Sequence, residues 1–136
     1  MSESTYFVAA VAAVIFKEGR VLAMKRSVNK DAGPGLWETL SGRIDAGEEP
    51  LDAMKREIKE ECNLEVEIDP RPVTSYQASR KGKPMILVIY QASYVAGEVE
   101  MSEEHDDYAW LTPDEFAEVS TLDKLVNAVY EAANTI

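Results

Sequence analysis

The sequence contains one cysteine, Cys62, and one histidine, His105, among its 136 residues. A single cysteine cannot form a disulfide within the chain, so we expect a reducing, cytoplasmic environment. Cations are also scarce, because 14 Lys and Arg stand against 25 Asp and Glu, which gives a net charge of −11. This charge disfavours nucleic acid and anionic membranes as partners. It does not exclude a small anionic substrate, since a bound divalent metal reverses the local charge.

Long hydrophobic runs are absent as well. The apolar run of residues 8–16 is too short to cross a bilayer. No basic segment precedes it, so we do not expect a signal peptide or a membrane anchor. No repeat, low-complexity tract or linker divides the chain. With 46% hydrophobic and 29% charged residues, the composition predicts that residues 1–136 form one globular domain.

Hydrophobic patterning and turn residues predict strands alternating with two substantial helices. The strands are predicted at residues 8–16, 21–25, 36–40, 65–68, 73–78, 85–95, 98–101 and 110–111. Glycine and proline predict a loop at 31–35, and residues 80–83 suit a hairpin tip. Thr112 and Glu115 form a predicted capping box that opens a short helix, and apolar residues between 122 and 133 predict a final helix. This order suggests a sheet covered on both faces.

The most informative segment is an acidic helix that follows a glycine-containing loop. Pro50 suits the first helical position, and Asn63 suits the end because asparagine tolerates left-handed backbone. At 100° per residue, a face beside the apolar one carries Glu57, Glu60 and Glu61. No lysine lies four residues after these glutamates to relieve their repulsion. The pattern therefore predicts a Mg²⁺ site rather than the alternative, a solvated acidic face.

Residues 42–64 resemble the signature motif of the Nudix hydrolases. That motif is Gly, five residues, Glu, seven residues, and then Arg-Glu-aliphatic-x-Glu-Glu-x-Gly-aliphatic. The matching residues are Gly42, Glu48, Arg56, Glu57, Ile58, Glu60, Glu61 and Leu64. Asn63 stands where the second glycine is usual, and Leu40-Ser41 stand where Pro-Gly is often found. The resemblance covers most of the chain and implies an α/β fold, a Nudix-type α/β/α sandwich with a mixed β-sheet.

The resemblance also implies metal-dependent hydrolysis of a diphosphate. Glu57 and Glu61 are expected to be the primary metal ligands, with Glu60 as a further ligand or as a catalytic residue that holds water. The backbone carbonyl of Gly42 is an additional candidate ligand. The expected metal is Mg²⁺, with Mn²⁺ as a possible substitute.

Two other residues of this segment have predicted roles. Arg56 is expected to pair with Glu48 and so fix the loop against the helix, the alternative being an arginine that faces solvent. Cys62 lies on the apolar face of the helix without a neighbouring base. We therefore expect an inert core thiol rather than a nucleophile.

The resemblance implies that a general base comes from a glutamate of the motif or from a loop before the late tryptophan, which here is the acidic segment of residues 103–107. Glu104 is the first candidate in that segment and Glu103 the second. Four acids in five residues are equally typical of a solvated loop. His105, within the same segment, is expected to be a loop residue rather than a ligand.

Substrate selection is less clearly marked in the sequence. The cations best suited to contact phosphate are Arg26, Arg80, Lys81 and Lys83. The last three are also typical of a solvated hairpin tip. The aromatic residues that could stack on a base, or instead fill the core, are Trp37, Tyr76 and Tyr90.

The first functional hypothesis is a hydrolase of nucleoside or deoxynucleoside triphosphates that releases a nucleoside monophosphate and pyrophosphate. ADP-ribose and dinucleoside polyphosphates remain open as substrates. An isoprenoid-diphosphate isomerase of the same fold is a second hypothesis, but it requires a catalytic cysteine before the helix, and Cys62 lies within it. A non-catalytic nucleotide sensor is a third, although a sensor has less use for a full set of metal ligands. A homodimer is an expectation from the family alone.

Overall fold

A mixed eight-stranded sheet with helices on both faces forms the fold in the computed structural model, which describes residues 6–30 and 33–135. The strands are β1 (Val8–Lys17), β2 (Arg20–Arg26), β3 (Trp37–Glu38), β4 (Leu40–Arg43), β5 (Glu65–Ile68), β6 (Thr74–Arg80), β7 (Lys83–Ala96) and β8 (His105–Leu111). The helices are α1 (Pro50–Glu61), α2 (Pro113–Val119) and α3 (Asp123–Ala133). The predicted loop of residues 31–35 falls partly outside the described residues. None of the helices in the described ranges is long and apolar enough to span a membrane.

Strand β1 occupies the centre of the sheet. It pairs in parallel with β7, from Val8 opposite Met85 to Phe16 opposite Ser93. Its other edge pairs antiparallel with β4 and β2. Because both faces of β1 are covered, seven of its ten residues are both apolar and buried.

The helices bury the two faces of the sheet separately. Helix α1 packs on one face through Met54 and Ile58, which, with Cys62 directly after the helix, lie in one buried cluster with alternate residues of β1. Helices α2 and α3 pack on the opposite face, where Phe116 and Val129 are fully buried. The predicted α/β/α sandwich with a mixed sheet is therefore confirmed.

The prediction of a strand over residues 98–101 is wrong. Gly97 has a φ of +106°, which ends β7, and the chain then turns towards the end of α1. There the backbone N–H of Glu100 donates to the carbonyl of Cys62 at 3.0 Å, and the Asn63 amide donates to the Glu100 carboxylate. Asn63 has a φ of +54°, the left-handed conformation expected of it. These contacts bring residues 102–104 beside the acidic helix.

The acidic segment of residues 103–107 is also only partly a loop. Strand β8 begins at His105 and pairs antiparallel with β2, placing His105 opposite Arg26 and Leu111 opposite Val21. The predicted extended piece at 110–111 is the end of this longer strand. The first residues of β8 are polar, so the sequence gives no signal for a strand there. Pairing with β2, rather than local propensity, keeps these residues extended.

The predicted extended segment at 36–40 consists of two short strands. Strand β3 pairs with β2, where Glu38 lies opposite Met24. Strand β4 pairs with β1, where Leu40 lies opposite Ala13. The chain crosses from one neighbour to the other at Thr39, which is buried.

Candidate metal and catalytic centre

Three glutamates of α1 converge at one end of the sheet. Glu57, Glu60 and Glu61 each offer a carboxylate oxygen, and these oxygens lie within 4.8 Å of one another. Glu57 and Glu61 are only 8% and 7% exposed, whereas Glu60 is exposed. Hard oxygen donors grouped in this way fit a divalent cation such as Mg²⁺.

Strand β4 lies against the first of these glutamates. A Cβ atom on Gly42 would lie 1.9 Å from Cδ of Glu57 and 2.2 and 2.3 Å from its carboxylate oxygens. Any side chain at position 42 would therefore displace the Glu57 carboxylate. Gly42 of the motif therefore lies beside the acidic cluster, and its lack of a side chain leaves room for the Glu57 carboxylate.

Arg56 connects the loop before α1 to the acidic cluster. Its Nε and Nη2 donate to the two carboxylate oxygens of Glu48 at 2.8 and 2.9 Å, so the predicted pair is present. Nη2 also donates to the carbonyl of Arg43, and Nη1 donates to Glu57 Oε1 at 2.8 Å. The hydrogen bond from Arg56 lowers the pKa of Glu48 to about 2, and the same contact raises the pKa of Arg56. This pairing holds the loop against the helix.

The two buried glutamates have pKa values shifted in opposite directions. Burial raises the pKa of Glu57 and outweighs Arg56, which lowers it, while the negative charges of Glu60 and Glu61 add smaller increases. Burial acts in the same direction on Glu61, but His105 and Ser102 outweigh it and lower the pKa of Glu61. The Ser102 hydroxyl donates to Glu61 Oε2 at 2.6 Å. A bound cation would favour the ionised form of both glutamates.

His105 is part of this centre, and the prediction that it is a loop residue is wrong. Its side chain is buried, with Nε2 2.8 Å from Glu38 Oε2 and Nδ1 3.5 Å from Glu61 Oε2. Burial alone would lower the pKa of His105, but the two carboxylates raise it to about 9. His105 therefore links Glu38 to the acidic cluster, and the two carboxylates favour its protonated form.

Glu38 and Ser102 belong to the same network and carry no sequence signal of their own. Glu38 Oε2 also lies 3.2 Å from Nη1 of Arg26, one of the cations predicted to contact phosphate. Both carboxylate partners of His105 come from elements far away in sequence, β3 and α1. To predict that Glu38, His105 and Arg26 meet, one would need to know that β2 pairs with both β3 and β8.

The structure brings the predicted base Glu104 close to the acidic cluster. The Glu104 N–H donates to Ser102 Oγ at 3.1 Å, and Ser102 in turn donates to Glu61. Glu104 Oε2 lies 2.5 Å from Lys30 Nζ. Glu104 is half-buried, whereas the second candidate, Glu103, is exposed. The geometry thus favours Glu104 over Glu103.

A cavity of about 550 Å³ lies between the sheet and the start of α3. The predicted substrate contacts that line it are Arg26, Arg80, Lys81 and Tyr76. Lys83, at the far side of the hairpin tip, does not line it. Trp37 packs against the core under α2 and α3, and Tyr90 is buried in the core under α1. The cavity also reaches Gly42, against which the Glu57 carboxylate lies, but Glu57, Glu60 and Glu61 do not themselves line it.

Comparisons with known proteins identify the family of the chain. The family model described as NUDIX domain matches residues 6–131. The chain belongs to the Nudix hydrolase family. It is 30% identical over 115 residues to the nucleoside triphosphatase NudI of Escherichia coli O139:H28, covering 77% of this chain and 82% of NudI. The predicted family and enzyme class, a Nudix pyrophosphohydrolase, are therefore confirmed.

Solved structures share the Nudix fold at lower identity. The MutT protein from Methanosarcina mazei Go1 superposes with a TM-score of 0.84 at 23% identity, covering 98% of this chain and 97% of that protein. An Ap4A hydrolase from C. elegans gives the same TM-score at 23% identity, covering 94% of this chain and 96% of that protein. These similarities support the fold.

Cys62 directly follows α1 as its C-terminal capping residue and takes no part in the centre. It is fully buried, its Sγ is 3.3 Å from the carbonyl of Ile58, and burial raises its pKa to about 11. A buried thiol with a raised pKa is a poor nucleophile. This agrees with the prediction of an inert core thiol.

Proposed function

We propose that this Nudix hydrolase cleaves nucleoside or deoxynucleoside triphosphates into a nucleoside monophosphate and pyrophosphate. The observation that carries the proposal is the acidic cluster together with a cavity of about 550 Å³ that reaches Gly42, the residue against which the Glu57 carboxylate lies. This cavity is large enough for a nucleoside. The cluster suits a metal-bound diphosphate, and the cavity suits the organic part of the same molecule. The similarity to a nucleoside triphosphatase supports this choice of substrate.

Mg²⁺, or Mn²⁺ in its place, would be held by Glu57 and Glu61, with Glu60 and the Gly42 carbonyl as further ligands. When bound, such an ion neutralises phosphate charge and lowers the pKa of a water molecule. The donor set fits this role, because three carboxylates whose oxygens lie within 4.8 Å of one another repel unless a cation lies among them.

The remaining residues position the reactants and move the proton. Glu104 is proposed as the general base, which takes a proton from the water as its oxygen attacks phosphorus and the bond to the leaving phosphate oxygen breaks. Lys30 holds the Glu104 carboxylate in place. Arg56 and Glu48 keep the motif loop against the helix, so that Glu57 stays beside Gly42.

Charges at the cavity complete the proposed binding site. Arg26, Arg80 and Lys81 line the cavity and would offset the negative charge of the substrate. Lys83 and Trp37 do not line it, so direct roles for them in substrate binding are not part of the proposal. The proposal further treats residues 1–136 as one catalytic domain of a cytoplasmic enzyme without a nucleic-acid partner, consistent with the acidic net charge.

The test is a substrate panel assayed with the full chain and Mg²⁺ or Mn²⁺. The panel contains the ribo- and deoxyribonucleoside triphosphates, a dinucleoside tetraphosphate, ADP-ribose and isopentenyl diphosphate. We expect pyrophosphate release from nucleoside triphosphates that stops when EDTA is added. Turnover confined to one of the other compounds would contradict the substrate assignment. Nucleotide binding without any turnover would instead indicate a sensor.

A further inference from the structure

His105 lies between two glutamates that belong to different elements of the fold. Its side chain is 2% exposed, and its Nε2 lies 2.8 Å from Oε2 of Glu38 on β3. The other ring nitrogen, Nδ1, lies 3.5 Å from Oε2 of Glu61 on α1. The two carboxylates are also buried, with 10% and 9% of their side chains exposed. The ring is therefore placed so that each of its nitrogens faces one carboxylate.

An irregularity in the sheet brings His105 to this position. Strand β2 pairs with β8 at Lys25, which lies opposite Asp107. At the next residue the register shifts, so that Arg26 lies opposite His105 and not opposite Asp106. Because cross-strand partners share one face of the sheet, the shift turns His105 to the face that carries Arg26. Bulges that redirect a side chain in this way are over-represented beside active sites.

Glu38 connects the histidine to the cavity. Glu38 lies opposite Met24, so it shares one face of the sheet with Arg26, two residues further along β2. Oε2 of Glu38, which contacts His105, also lies 3.2 Å from Nη1 of Arg26. Both Glu38 and Arg26 line the cavity. One buried carboxylate oxygen thus contacts both the histidine and a cation of the proposed substrate site.

Glu61 is held through one of its two carboxylate oxygens. Ser102 donates to Oε2 at 2.6 Å, and His105 Nδ1 faces the same oxygen. At 3.5 Å this second contact is longer than an ordinary hydrogen bond, and Nδ1 has no other partner among the described residues. No hydrogen bond within the described ranges engages Oε1 of Glu61. Partners that hold one oxygen of a metal ligand orient the other and so tune metal affinity.

We propose that His105 and Glu38 are positioning residues of this enzyme. His105 orients the metal ligand Glu61, and Glu38 holds both His105 and Arg26. The inference rests on the proposed function, because it takes Glu61 as a metal ligand and Arg26 as a contact to phosphate. The competing explanation is stability alone, since breaking a buried ion pair destabilises a fold whatever else the pair does.

The first test uses two substitutions that each keep one contact of His105. The amide nitrogen in His105→Asn lies near the position of Nδ1 and can donate to Glu61, whereas that in His105→Gln lies near Nε2 and can donate to Glu38. The measured quantities are the affinity of the full chain for Mn²⁺ alone, by calorimetry, and the melting temperature. We expect Mn²⁺ binding to weaken about tenfold in His105→Gln and to stay close to wild type in His105→Asn.

The second test separates the two contacts of Glu38. Glu38→Gln keeps the shape of the side chain but removes the charge that faces His105 and Arg26. At saturating Mn²⁺ we expect KM for the nucleoside triphosphate to rise several-fold, because Arg26 loses a charged partner. His105→Gln leaves the contact between Glu38 and Arg26 in place, so its KM should stay near that of the wild type. Glu38→Gln should also weaken Mn²⁺ binding, since His105 is then held less firmly.

Val129→Ala is the control for a loss of stability alone. Val129 is a fully buried residue of α3, on the opposite face of the sheet, and it does not line the cavity. Its substitution should lower the melting temperature without changing Mn²⁺ binding or KM. Equal Mn²⁺ affinities in His105→Gln and His105→Asn would overturn the orientation of Glu61 by His105. An unchanged KM in Glu38→Gln would overturn the part assigned to Arg26.

Metal binding also separates this inference from the choice of substrate. If the wild-type chain binds Mn²⁺ but hydrolyses no triphosphate, the proposed substrate fails, and the contrast between the two His105 variants still decides the role of His105. If the wild-type chain binds no Mn²⁺, the proposed metal site and this inference are both overturned. Should His105→Gln not fold, weaker Mn²⁺ binding by Glu38→Gln supports the inference, and unchanged binding overturns it.

Discussion

The carboxylate of Glu57 lies directly against the α carbon of Gly42, in the space that a side chain at position 42 would occupy. Gly42 is part of β4, and Glu57 is on α1, so this contact joins the sheet to the helix at the centre of the site. The φ angle of Gly42 is not positive, whereas several other glycines of the described residues have positive φ angles. The need for glycine here is therefore steric and not conformational.

Gly42→Ala should reduce kcat by about 100-fold, because a displacement of roughly 1 Å in a catalytic group has an effect of that size. The new methyl group would lie 1.9 Å from Glu57 Cδ, so the carboxylate must move. The check is a double-mutant cycle with Glu57→Ala. If the loss arises through Glu57, adding Gly42→Ala to Glu57→Ala should cause little further change. Additive losses would show that Gly42 acts in another way.

Glu61→Gln should reduce metal-dependent turnover at least about 100-fold and weaken Mn²⁺ binding measured by calorimetry. The amide keeps the shape of the side chain, so circular dichroism should be unchanged. Glu65→Gln, which alters an exposed glutamate on β5, is the matched control and should behave like the wild type. Near-normal turnover in Glu61→Gln would remove the metal assignment.

Glu104→Gln should lower kcat by about 10²- to 10⁴-fold, the usual effect of losing a general base. KM should change much less, because the residue is proposed to act on the water and not on substrate binding. Glu103→Gln is the neighbouring control, since Glu103 is exposed. Equal effects of the two substitutions would indicate that the acidic segment acts only through its charge.

Glu48 should make protein stability depend on pH in the acidic range. The hydrogen bond from Arg56 lowers the pKa of Glu48 from its ordinary value of 4.5 to about 2. Because the folded-state pKa is lowered, the stabilising contribution is complete above about pH 4.5 and is lost as the pH falls towards 2. Melting temperatures of the wild type and Glu48→Gln should therefore converge over this range. A constant difference down to pH 2 would contradict the assignment.

The helix that carries the glutamates could be predicted from the sequence because its signals are local. Pro50 marks its first turn and Asn63 its end, and the 3.6-residue period separates the apolar face from the acidic one. The Arg56–Glu48 pair also lies within this segment. Such short-range features do not depend on how the rest of the chain folds.

The remainder of the centre depends on long-range pairing that local patterns do not encode. His105 approaches Glu38 only because β3 and β8 both pair with β2. The strand predicted at 98–101 does not form, because Glu100 bonds to Cys62 at the end of α1. Charge and aromaticity alone could not separate Arg80, which lines the cavity, from Lys83, which does not.

The parallel pairing of β1 with β7 has a consequence for how the protein is made. The first strand acquires its central partner only after synthesis has passed Ser93, so a nascent chain ending before β7 lacks β7 and β8 and leaves β5 and β6 without the strand they pair with. Contacts between segments so distant in sequence form slowly, since a long loop must close before they stabilise anything. The glutamates of α1 come early in the sequence, but the sheet on which the helix packs is complete only after β7 and β8 have been synthesised.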